Sequence, residues 1–314
     1  MRSLDSFPKV SLGVFPTPIQ KLHNISAALE TNVYVKRDDL TGLGLGGNKV
    51  RKLEYLLADA VQKGARAVFT TGGAQSNHAM LTAAAAGKMG MKPILILKKR
   101  GVTELRGNRL LESLMGTEVI FMDTDDYADI YAEMDRVGSA LGVPYYKIPC
   151  GGSNALGSLG YVSCAAEIRD QGLRFDHLVC AEGSGGTMAG LALGAKLFLP
   201  GTLVHGMMVD KEPFDRITPA LMRDTAALLE ADVTVDGGDF ILHDMCGPGY
   251  ARPSGEGNEA IAMMASLEGL FLDPVYSGKA FAGLVKLARE GRFRKTDNVL
   301  FLHSGGAGGL FAVM

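Results

Sequence analysis

From Ala65 onward, the sequence alternates between short apolar segments and longer amphipathic ones. The apolar segments have the length and the β-branched content of buried strands, whereas the others repeat apolar residues at spacings of three and four, as helices do. The predicted strands are 67–71, 93–97, 118–122 and 145–148, and the predicted helices are an alanine-rich one ending at residue 89, then 104–115 and 127–141. Strands separated by helices predict a parallel sheet with crossover connections over residues 52–162, which we expect to form a small domain.

A second unit of the same kind follows. Its predicted strands are 177–181, 203–209 and 298–303, and its predicted helices are 155–171, 188–198, 220–231, 256–268 and 278–290. The first fifty residues add a proline-containing extended arm at 7–20, a helix at 22–29 and a strand at 31–38. Because no linker separates the units, we expect residues 1–51 to return to residues 163–314 and form a large domain with them. The predicted fold class is α/β, with two open, twisted, mainly parallel sheets flanked by helices.

Composition and charge exclude several classes of function. The 314 residues carry a net charge of −2 and their longest basic run is Lys98-Lys99-Arg100, so nothing favours a nucleic-acid partner. No apolar run has the length of a membrane span and the N-terminus lacks the apolar core of a signal peptide, which predicts a cytoplasmic protein without membrane contact. The four cysteines lack C-x-x-C spacing and a nearby histidine pair, which predicts free thiols and no metal site.

A glycine-rich loop over residues 42–48 ends in Lys49, at the start of a predicted helix. Two functions suit this arrangement: phosphate binding, or a reactive amine whose ammonium form is disfavoured by the helix dipole. The loop lacks the Ser or Thr that follows the lysine of a P-loop, and no acidic residue ends a following strand as in a dinucleotide-binding motif. The alternative is a solvated lysine at a helix start.

A second glycine-rich turn is a stronger candidate for binding phosphate. Gly183, Ser184, Gly185, Gly186 and Thr187 lie between a predicted strand and a predicted helix. Backbone amides at such a helix start point outward, glycine permits close approach, and the hydroxyls add donors. The alternative is an ordinary tight turn between a strand and a helix.

A reactive lysine and a separate phosphate site together suggest pyridoxal 5′-phosphate (PLP). This cofactor needs a lysine for its covalent attachment, a phosphate site and a partner for its ring nitrogen. No pair of carboxylates of the kind that binds magnesium stands near either loop, which argues against nucleotide hydrolysis.

Several segments closely resemble one family of PLP enzymes. In chain order they are Lys36–Leu40, Gly46–Glu54, Gln75–His78, Gly151–Gly157, Gly183–Gly190, Asp273–Lys279 and His303–Gly306. The chain resembles the fold-type II PLP enzymes, and within them the family of D-cysteine desulfhydrase and 1-aminocyclopropane-1-carboxylate (ACC) deaminase. The resemblance implies a tryptophan synthase β-like fold, with PLP in the cleft between a large and a small domain, and a homodimer.

The resemblance also implies a role for each matching residue. Lys49 would hold the cofactor covalently and move the Cα proton. Asn77 would contact the ring hydroxyl and Ser304 the pyridine nitrogen. The remaining roles are the substrate carboxylate site and proton transfer for Ser76 with its neighbours Asn77 and His78, the phosphate site for Gly183, Ser184, Gly185, Gly186 and Thr187, and catalysis for Tyr250 and Tyr276.

Taken singly, most of these residues have a structural alternative. Ser76 and Asn77 are common helix caps, and His78 alone would be a satisfied structural histidine. Tyr276 alone would suit an interface, and Ser304 alone a turn after a strand. Their joint order along the chain is what favours the functional interpretation.

Two positions bear on the reaction. The family's ACC deaminases typically have Gln where His78 stands and Glu where Ser277 stands, so this chain resembles the desulfhydrases at both. We therefore predict α,β-elimination from a cysteine-like amino acid, first of all D-cysteine, to pyruvate, ammonia and hydrogen sulfide. The sequence leaves the D or L configuration of the substrate open.

Departures from the family pattern keep other functions open. The family tends to have Tyr-Gly-x-Pro around Tyr250, whereas this chain has Tyr250-Ala251-Arg252-Pro253. The guanidinium of Arg252 is an unexpected cation and would suit a sulfonate side chain, as in an L-cysteate sulfo-lyase that releases sulfite. A solvated loop residue is the alternative for Arg252. ACC deaminase is the third candidate reaction. A non-catalytic protein that binds a phosphorylated ligand is the candidate from another class, although the joint presence of Lys49, Ser76 and both tyrosines argues against it.

Overall fold

The computed structural model describes residues 1–313, which form two sheets with helices on both faces. The larger sheet contains β1 (Ile19–Lys21), β2 (Asn32–Lys36), β7 (His177–Glu182), β8 (Leu203–Met208), β9 (Phe240–Asp244) and β10 (Asn298–Leu302) in the order β1-β2-β10-β7-β8-β9. The smaller sheet contains β3 (Ala67–Gly73), β4 (Lys92–Lys98), β5 (Glu118–Met122) and β6 (Tyr145–Lys147) in the order β5-β4-β3-β6. Every pairing is parallel except that of β1 with β2. The predicted fold class is therefore confirmed.

Eleven α-helices cover these sheets within the described residues. They are α1 (His23–Leu29), α2 (Lys49–Gln62), α3 (Asn77–Lys88), α4 (Asn108–Leu114), α5 (Tyr127–Ala140), α6 (Ala155–Asp170), α7 (Gly186–Phe198), α8 (Phe214–Leu228), α9 (Gly255–Glu268), α10 (Ser277–Arg289) and α11 (Ala307–Val313). Short 3-10 turns lie at Leu4–Ser6, Asp38–Leu40 and Cys150–Gly152. None of the helices up to residue 313 is both long and apolar enough to cross a membrane.

Alternation along the strands divides the core of the large sheet into two layers. Leu178 and Leu300 face one layer with α6, α7 and α8, whereas Val179 and Phe301 face the other with α1, α9 and α10. In the small sheet, Leu95 and Leu97 pack against α3, while Ile94 and Ile96 pack against α5. Strands buried on both faces need a continuous apolar sequence, which is why these segments were recognisable.

Most of the predicted elements are observed within two residues of their predicted ends, but the starts of two helices were predicted wrongly. The helix predicted at 104–115 begins only at Asn108, because Gly107 precedes it with a φ of 56° outside the helical region. The helix predicted at 220–231 begins six residues earlier, at Phe214, and contains Pro219. Pro219 is the sixth residue of α8 and removes one intrahelical hydrogen bond, yet it does not end the helix here. Strands β1 and β9 and helix α11 were not predicted.

A buried ionic cluster fastens the N-terminal segment to α2 and α6. Arg51 donates to Asp38 at 2.8 Å and to Glu167 at 2.9 Å, and Lys36 contacts Glu167 as well. Tyr161 donates to Asp38 at 2.6 Å. Burial opposes the charge of Asp38, yet the Arg51 guanidinium keeps the pKa of that carboxyl below its ordinary value. The cluster thereby fixes the start of α2, where Lys49 lies. The exact domain boundaries at 51/52 and 162/163 stay a prediction.

Candidate active site

One cavity opens where the carboxyl ends of both sheets face each other. Gly183 follows β7, Asp210 lies two residues after β8, and Ser304 lies two residues after β10. The carboxyl ends of parallel strands are where α/β proteins usually bind ligands. Of the residues predicted from sequence to form the site, the cavity is lined by Lys49, Ser76, Asn77, His78, Gly183, Ser184, Gly185, Thr187, Tyr250, Tyr276 and Ser304.

Two predicted residues do not line the cavity. Gly186 begins α7 behind the cavity wall, where its amide donates to the Ser153 hydroxyl at 3.1 Å. Arg252 is exposed to solvent. The structure thus gives Arg252 the solvated placement that was the alternative to sulfonate binding.

The glycines of the loop at residues 42–48, which precedes Lys49, allow close packing of the backbone. A Cβ on Gly46 would overlap the carbonyl oxygen of Asp39. Gly47, with a φ of 138°, pairs with Gly305 in an isolated bridge, and the amide of Asn48 donates to the carbonyl of Ser304 at 3.0 Å. These contacts place the first residue of α2, Lys49, beside the end of β10. The loop therefore positions the lysine, and the phosphate interpretation of this loop finds no geometric support.

Burial changes the acid–base properties of Lys49. It lowers the pKa of the ammonium to about 8, although Cys150 and Glu182 favour the charged form. A lysine with this pKa has a much larger fraction of neutral amine at physiological pH than an exposed one. Lys49 is thus suited to act as a nucleophile and as a proton acceptor.

The turn between β7 and α7 forms a cup with several donors. Gly185 adopts a φ of 87°, which turns the chain into α7. The Ser184 hydroxyl bonds that of Ser153 at 2.9 Å, and the Thr187 hydroxyl accepts from the Asn48 side chain at 3.0 Å. Both hydroxyls line the cavity, at the N-terminus of a thirteen-residue helix. This is the arrangement expected for an anion such as phosphate.

Lys52 lies behind the cup and was not identified from the sequence. Its side chain is fully buried, and its Nζ donates to the carbonyl of Gly151 at 3.1 Å and to the hydroxyl of Ser153 at 3.3 Å. A Cβ on Gly186 would lie 2.7 Å from this Nζ. Burial and then the neighbouring Lys49 hold the pKa of Lys52 well below its ordinary value. A buried amine next to an anion cup, without a carboxylate partner among residues 1–313, fits a site completed by a bound phosphate.

Glu182 is a second lining residue that the sequence did not reveal. It lies under the cup, where its Oε1 accepts a hydrogen bond from the amide of Gly185 at 2.7 Å. Burial raises the pKa of this carboxyl to about 7. Glu182 therefore fixes the shape of the cup and is substantially protonated at neutral pH.

The start of α3 forms the opposite wall. The Ser76 hydroxyl accepts a hydrogen bond from the amide of Ala79 at 3.2 Å and so caps the helix. Ser76 also lines the cavity, so it is both a helix cap and a residue of the candidate site. The Asn77 side chain accepts from Asn108 at 2.7 Å. His78 bonds the Thr70 hydroxyl at 2.8 Å, and burial, followed by Lys49, holds the pKa of its ring well below the ordinary value. His78 is therefore neutral, and the free amides of this helix start are available to a carboxylate.

Tyr250 and Tyr276 meet on the third side of the cavity. The loop that carries Tyr250 is tied to α10 by Lys279, whose Nζ donates to the carbonyls of Cys246 at 2.7 Å and Gly249 at 2.9 Å. Asp273 accepts from the amide of Tyr276 at 2.9 Å. Each tyrosine therefore lies on a loop that is held in place by its own hydrogen bonds, and the two loops together bring the tyrosine hydroxyl groups into contact.

Ser277, Cys150 and Asp210 lie in or near the cavity in ways that the sequence did not predict. Ser277 is buried and its hydroxyl bonds the Asp273 carboxylate at 2.6 Å, so it acts on the loop and does not line the cavity. Cys150 and Asp210 line the cavity but carried no recognisable signal in the sequence. All four cysteines are free thiols, as predicted.

Comparisons with known proteins agree with this geometry. A family profile described as "Pyridoxal-phosphate dependent enzyme" matches residues 10–305. Curated proteins from Pyrococcus horikoshii and Thermotoga maritima, both named "Putative 1-aminocyclopropane-1-carboxylate deaminase", are 44% and 43% identical, over 98% and 97% of this chain and 94% and 98% of their own lengths.

Solved structures extend the comparison to the fold. A crystal structure of an ACC deaminase homologue has a TM-score of 0.92 at 43% identity and covers 98% of this chain and 94% of that one. The processed form of threonine deaminase isoform 2 from Solanum lycopersicum has a TM-score of 0.68 at 16% identity, over 96% of this chain and 82% of that one, which shows a shared fold alone.

Proposed function

The chain belongs to the pyridoxal-phosphate dependent enzyme family, and from that membership we propose that it catalyses α,β-elimination on a cysteine-like amino acid. D-cysteine is the first candidate, with pyruvate, ammonia and hydrogen sulfide as products. The observation that carries the proposal is the convergence of Lys49, the Gly183–Thr187 cup and the tyrosine pair on one cavity. The family, the fold type and the cofactor predicted from sequence are confirmed by the comparisons.

The residues of the cavity fit PLP. The cup and Lys52, which has no carboxylate partner among residues 1–313, would hold its phosphate, Lys49 would attach it, and Ser304 would face its pyridine nitrogen. When bound, PLP supplies an electron sink for the negative charge that develops at the substrate Cα. A neutral hydroxyl at Ser304 holds a proton on the ring nitrogen less firmly than a carboxylate would, which suits prompt loss of the β-substituent.

The chain's own residues supply binding and proton transfer. The amides and hydroxyl at Ser76–His78 would bind the substrate carboxylate at a helix N-terminus. Lys49, with its lowered pKa, would take the Cα proton. The paired hydroxyls of Tyr250 and Tyr276 would then contact the substrate beyond Cα, where the sulfur departs. Hydrosulfide is a good leaving group, so this step needs little further help.

Two other reactions on the same site are weighed against this one. ACC deamination is favoured by the names of the two curated relatives, whereas His78 and Ser277 favour desulfhydration. L-Cysteate sulfo-lyase activity loses its motivation from Arg252, because that residue is exposed.

We also propose that the protein is a homodimer. Apolar side chains stand exposed on neighbouring helices, at Leu110 and Leu114 of α4, the latter 75% exposed, and at Phe311 of α11, 73% exposed. Exposed apolar side chains that are grouped together, unlike single scattered ones, commonly mark an interface. Sedimentation analysis of the wild type and of a Leu114→Lys variant tests this proposal; a monomeric wild type would reject it.

The test of function is product release from PLP-loaded protein. D-cysteine, L-cysteine, L-cysteate and D-serine are compared by pyruvate release, and ACC by 2-oxobutyrate release. Dominant turnover of D-cysteine supports the proposal, dominant turnover of ACC replaces it with deamination, and dominant turnover of L-cysteate replaces it with sulfite release. A protein that shows no visible absorption band after addition of PLP would instead be the non-catalytic phospho-ligand binder.

A further inference from the structure

We propose that Asp210 makes this cavity selective for amino acids with an uncharged β-substituent and excludes those whose side chain ends in an anion. The inference rests on the proposed function, because it takes the cavity to be the amino-acid site of that reaction. It concerns the class of substrate and, through the substrate, the leaving group.

The position of Asp210 places its carboxylate on the tyrosine side of the cavity. It lies two residues after β8, and its neighbour Val209 would be 3.2 Å from a Cβ on Gly183, as would Tyr276. The ring of Tyr250 reaches toward Gly73, because a Cβ on Gly73 would lie 3.2 Å from that ring. Gly73 comes three residues before Ser76, which lies on the opposite wall of the cavity. A substrate with its carboxylate at Ser76 and its Cα at Lys49 therefore directs its side chain toward the tyrosines and Asp210.

The charge of Asp210 is not neutralised by an ion pair among the described residues. Its one side-chain hydrogen bond within residues 1–313 is from the amide of Lys211 to Oδ1, at 2.8 Å. Besides Lys211, whose side chain is exposed, two cations interact with the Asp210 charge, but Lys279 is buried and donates to the carbonyls of Cys246 and Gly249. The other, Arg100, pairs with Asp125 at 2.5 Å. The Asp210 carboxylate therefore acts on whatever occupies the cavity.

The charges of the cavity wall leave no favourable place for a second substrate anion. Lys49 is the one cationic side chain that lines the described cavity, and it is committed to the cofactor. Lys52 and Glu182 lie at the cup, and Arg252 is exposed. The α-carboxylate of a substrate meets the amides of α3, whereas a side-chain sulfonate or carboxylate meets Asp210. Like charges repel, and a partly buried cavity screens that repulsion less than bulk water does.

This arrangement favours hydrosulfide over sulfite as the leaving group. In the proposed elimination the Cα proton passes to Lys49, the Cβ–S bond breaks, and hydrosulfide leaves with the bonding electron pair. Before elimination, the sulfur belongs to an uncharged thiol side chain, which the Asp210 carboxylate does not repel. The parent side chain of sulfite is a sulfonate, which bears its negative charge before any bond breaks and is repelled on entry.

The test compares the binding of asparagine and aspartate, which have nearly the same shape and differ in side-chain charge. Dissociation constants of both enantiomers are measured by calorimetry on the PLP-loaded wild type, on Asp210→Asn and on the matched control Asp215→Asn, whose carboxylate is exposed and does not line the cavity. We expect the wild type to bind asparagine at least tenfold more tightly than aspartate. The Asp210→Asn variant should reduce that ratio about tenfold, and the control should leave it unchanged.

Two outcomes would overturn the inference. One is equal affinity of the wild type for both ligands, and the other is an unchanged ratio in Asp210→Asn. The variant Asp210→Ala, which removes the carboxylate without adding an amide, must shift the ratio in the same direction. Because binding is measured without turnover, absence of pyruvate from every amino acid would reject the proposed elimination and leave the role of Asp210 to be judged from the ratio.

Discussion

The hydroxyl oxygens of Tyr250 and Tyr276 lie 2.5 Å apart. Tyr250 comes from the loop after β9 and Tyr276 from the residue that precedes α10. Burial raises the pKa of both phenols above the ordinary value, so both stay protonated at neutral pH. One hydroxyl therefore donates to the other, and a single proton of the pair remains available to a ligand.

The first prediction concerns this pair. Tyr250→Phe and Tyr276→Phe should each lower kcat of the elimination about 100-fold, the typical contribution of a positioned proton donor. Because the two hydroxyls act through one hydrogen bond, the double variant should lose far less than the product of the single losses. Initial rates of pyruvate release measure this cycle. Multiplicative losses would show that the tyrosines act independently.

Lys49 gives a prediction for pH. Its pKa of about 8 makes roughly one-tenth of the amine neutral at pH 7 and most of it neutral above pH 9. The rate at which apoprotein attaches PLP, trapped by borohydride and measured by mass spectrometry, should rise from pH 6 through pH 8 and then level off. A rate that still rises toward pH 10 would show an unperturbed lysine. Lys49→Ala should form no trapped adduct at any pH.

Lys52 and Lys36 are both fully buried, yet they should respond oppositely to the same substitution. Lys52→Met removes a buried amine without a carboxylate partner, so the melting temperature of the apoprotein should rise. The same change should weaken PLP binding at least about tenfold, because a charged hydrogen bond to phosphate is lost.

The Lys36→Met variant is the matched control. It leaves Glu167 without one of its cationic partners and should lower the free energy of unfolding by about 3 kcal/mol or more without a direct effect on the phosphate cup. Calorimetric melting and PLP titration separate the two effects. Melting temperatures that fall in both variants would contradict the role given to Lys52.

Glu182 should make PLP affinity dependent on pH. With its pKa raised to about 7, the carboxyl is increasingly ionised from pH 6 to pH 8 and increasingly repels the phosphate above it. Glu182→Gln keeps an oxygen that accepts from Gly185 and removes the charge. The ratio of the wild-type to the variant dissociation constant for PLP should therefore increase as pH rises. A ratio that is constant from pH 6 to pH 8 would contradict this effect of Glu182.

A chain of histidines away from the cavity should control stability in acid. His205 bonds His177 at 3.1 Å and His243 at 3.0 Å, on the neighbouring strands. Burial, followed by the other two rings, lowers the pKa of His205 to about 3, below the unfolded value of 6.5. Between pH 6.5 and pH 3, the unfolded chain therefore binds a proton at this imidazole that the native chain does not bind. Stability is fully present above pH 6.5 and falls by up to about 1.4 kcal/mol per pH unit between pH 6.5 and pH 3.

Urea unfolding from pH 4 to pH 7 measures that slope. A His205→Leu variant removes the buried imidazole and should flatten the slope, although its stability at pH 7 is lower because the hydrogen-bonded chain is broken. His23→Gln, at an exposed position, should leave the slope as it is in the wild type. An equal slope in His205→Leu would assign the acid sensitivity to other groups.

Local signals in the sequence were sufficient for several parts of the site. The cup at Gly183–Thr187 is a strand, a glycine turn and a helix in immediate succession, so its anion-binding geometry depends on neighbouring residues only. The helix cap at Ser76 is equally local. Tyr250 and Ser304 had weaker local signals and were identified through the family resemblance, and both line the cavity.

Other features depend on contacts that no local pattern encodes. Gly46 is required because its backbone packs on Asp39, whereas the sequence left phosphate binding and a reactive amine both open for the same loop. Lys52 was indistinguishable from a surface lysine, although it lies on the same face of α2 as Lys49, three residues away. Asp210 faces the cavity only because β8 ends beside β7.

Eight of the ten described strands, most helices, the turn chemistry and the family could be predicted from the sequence alone, because apolar periodicity and short motifs act over a few residues. Which charges face one another depends on the tertiary structure. Parallel strands bring together residues far apart in the chain, and the pKa values of Lys49 and Glu182 follow from the burial and the neighbours that result. Arg252, two residues after the cavity residue Tyr250, is exposed to solvent, which the local sequence did not determine. Proximity along the chain fixes the local conformation, whereas the electrostatics of the site depend on distances across the fold.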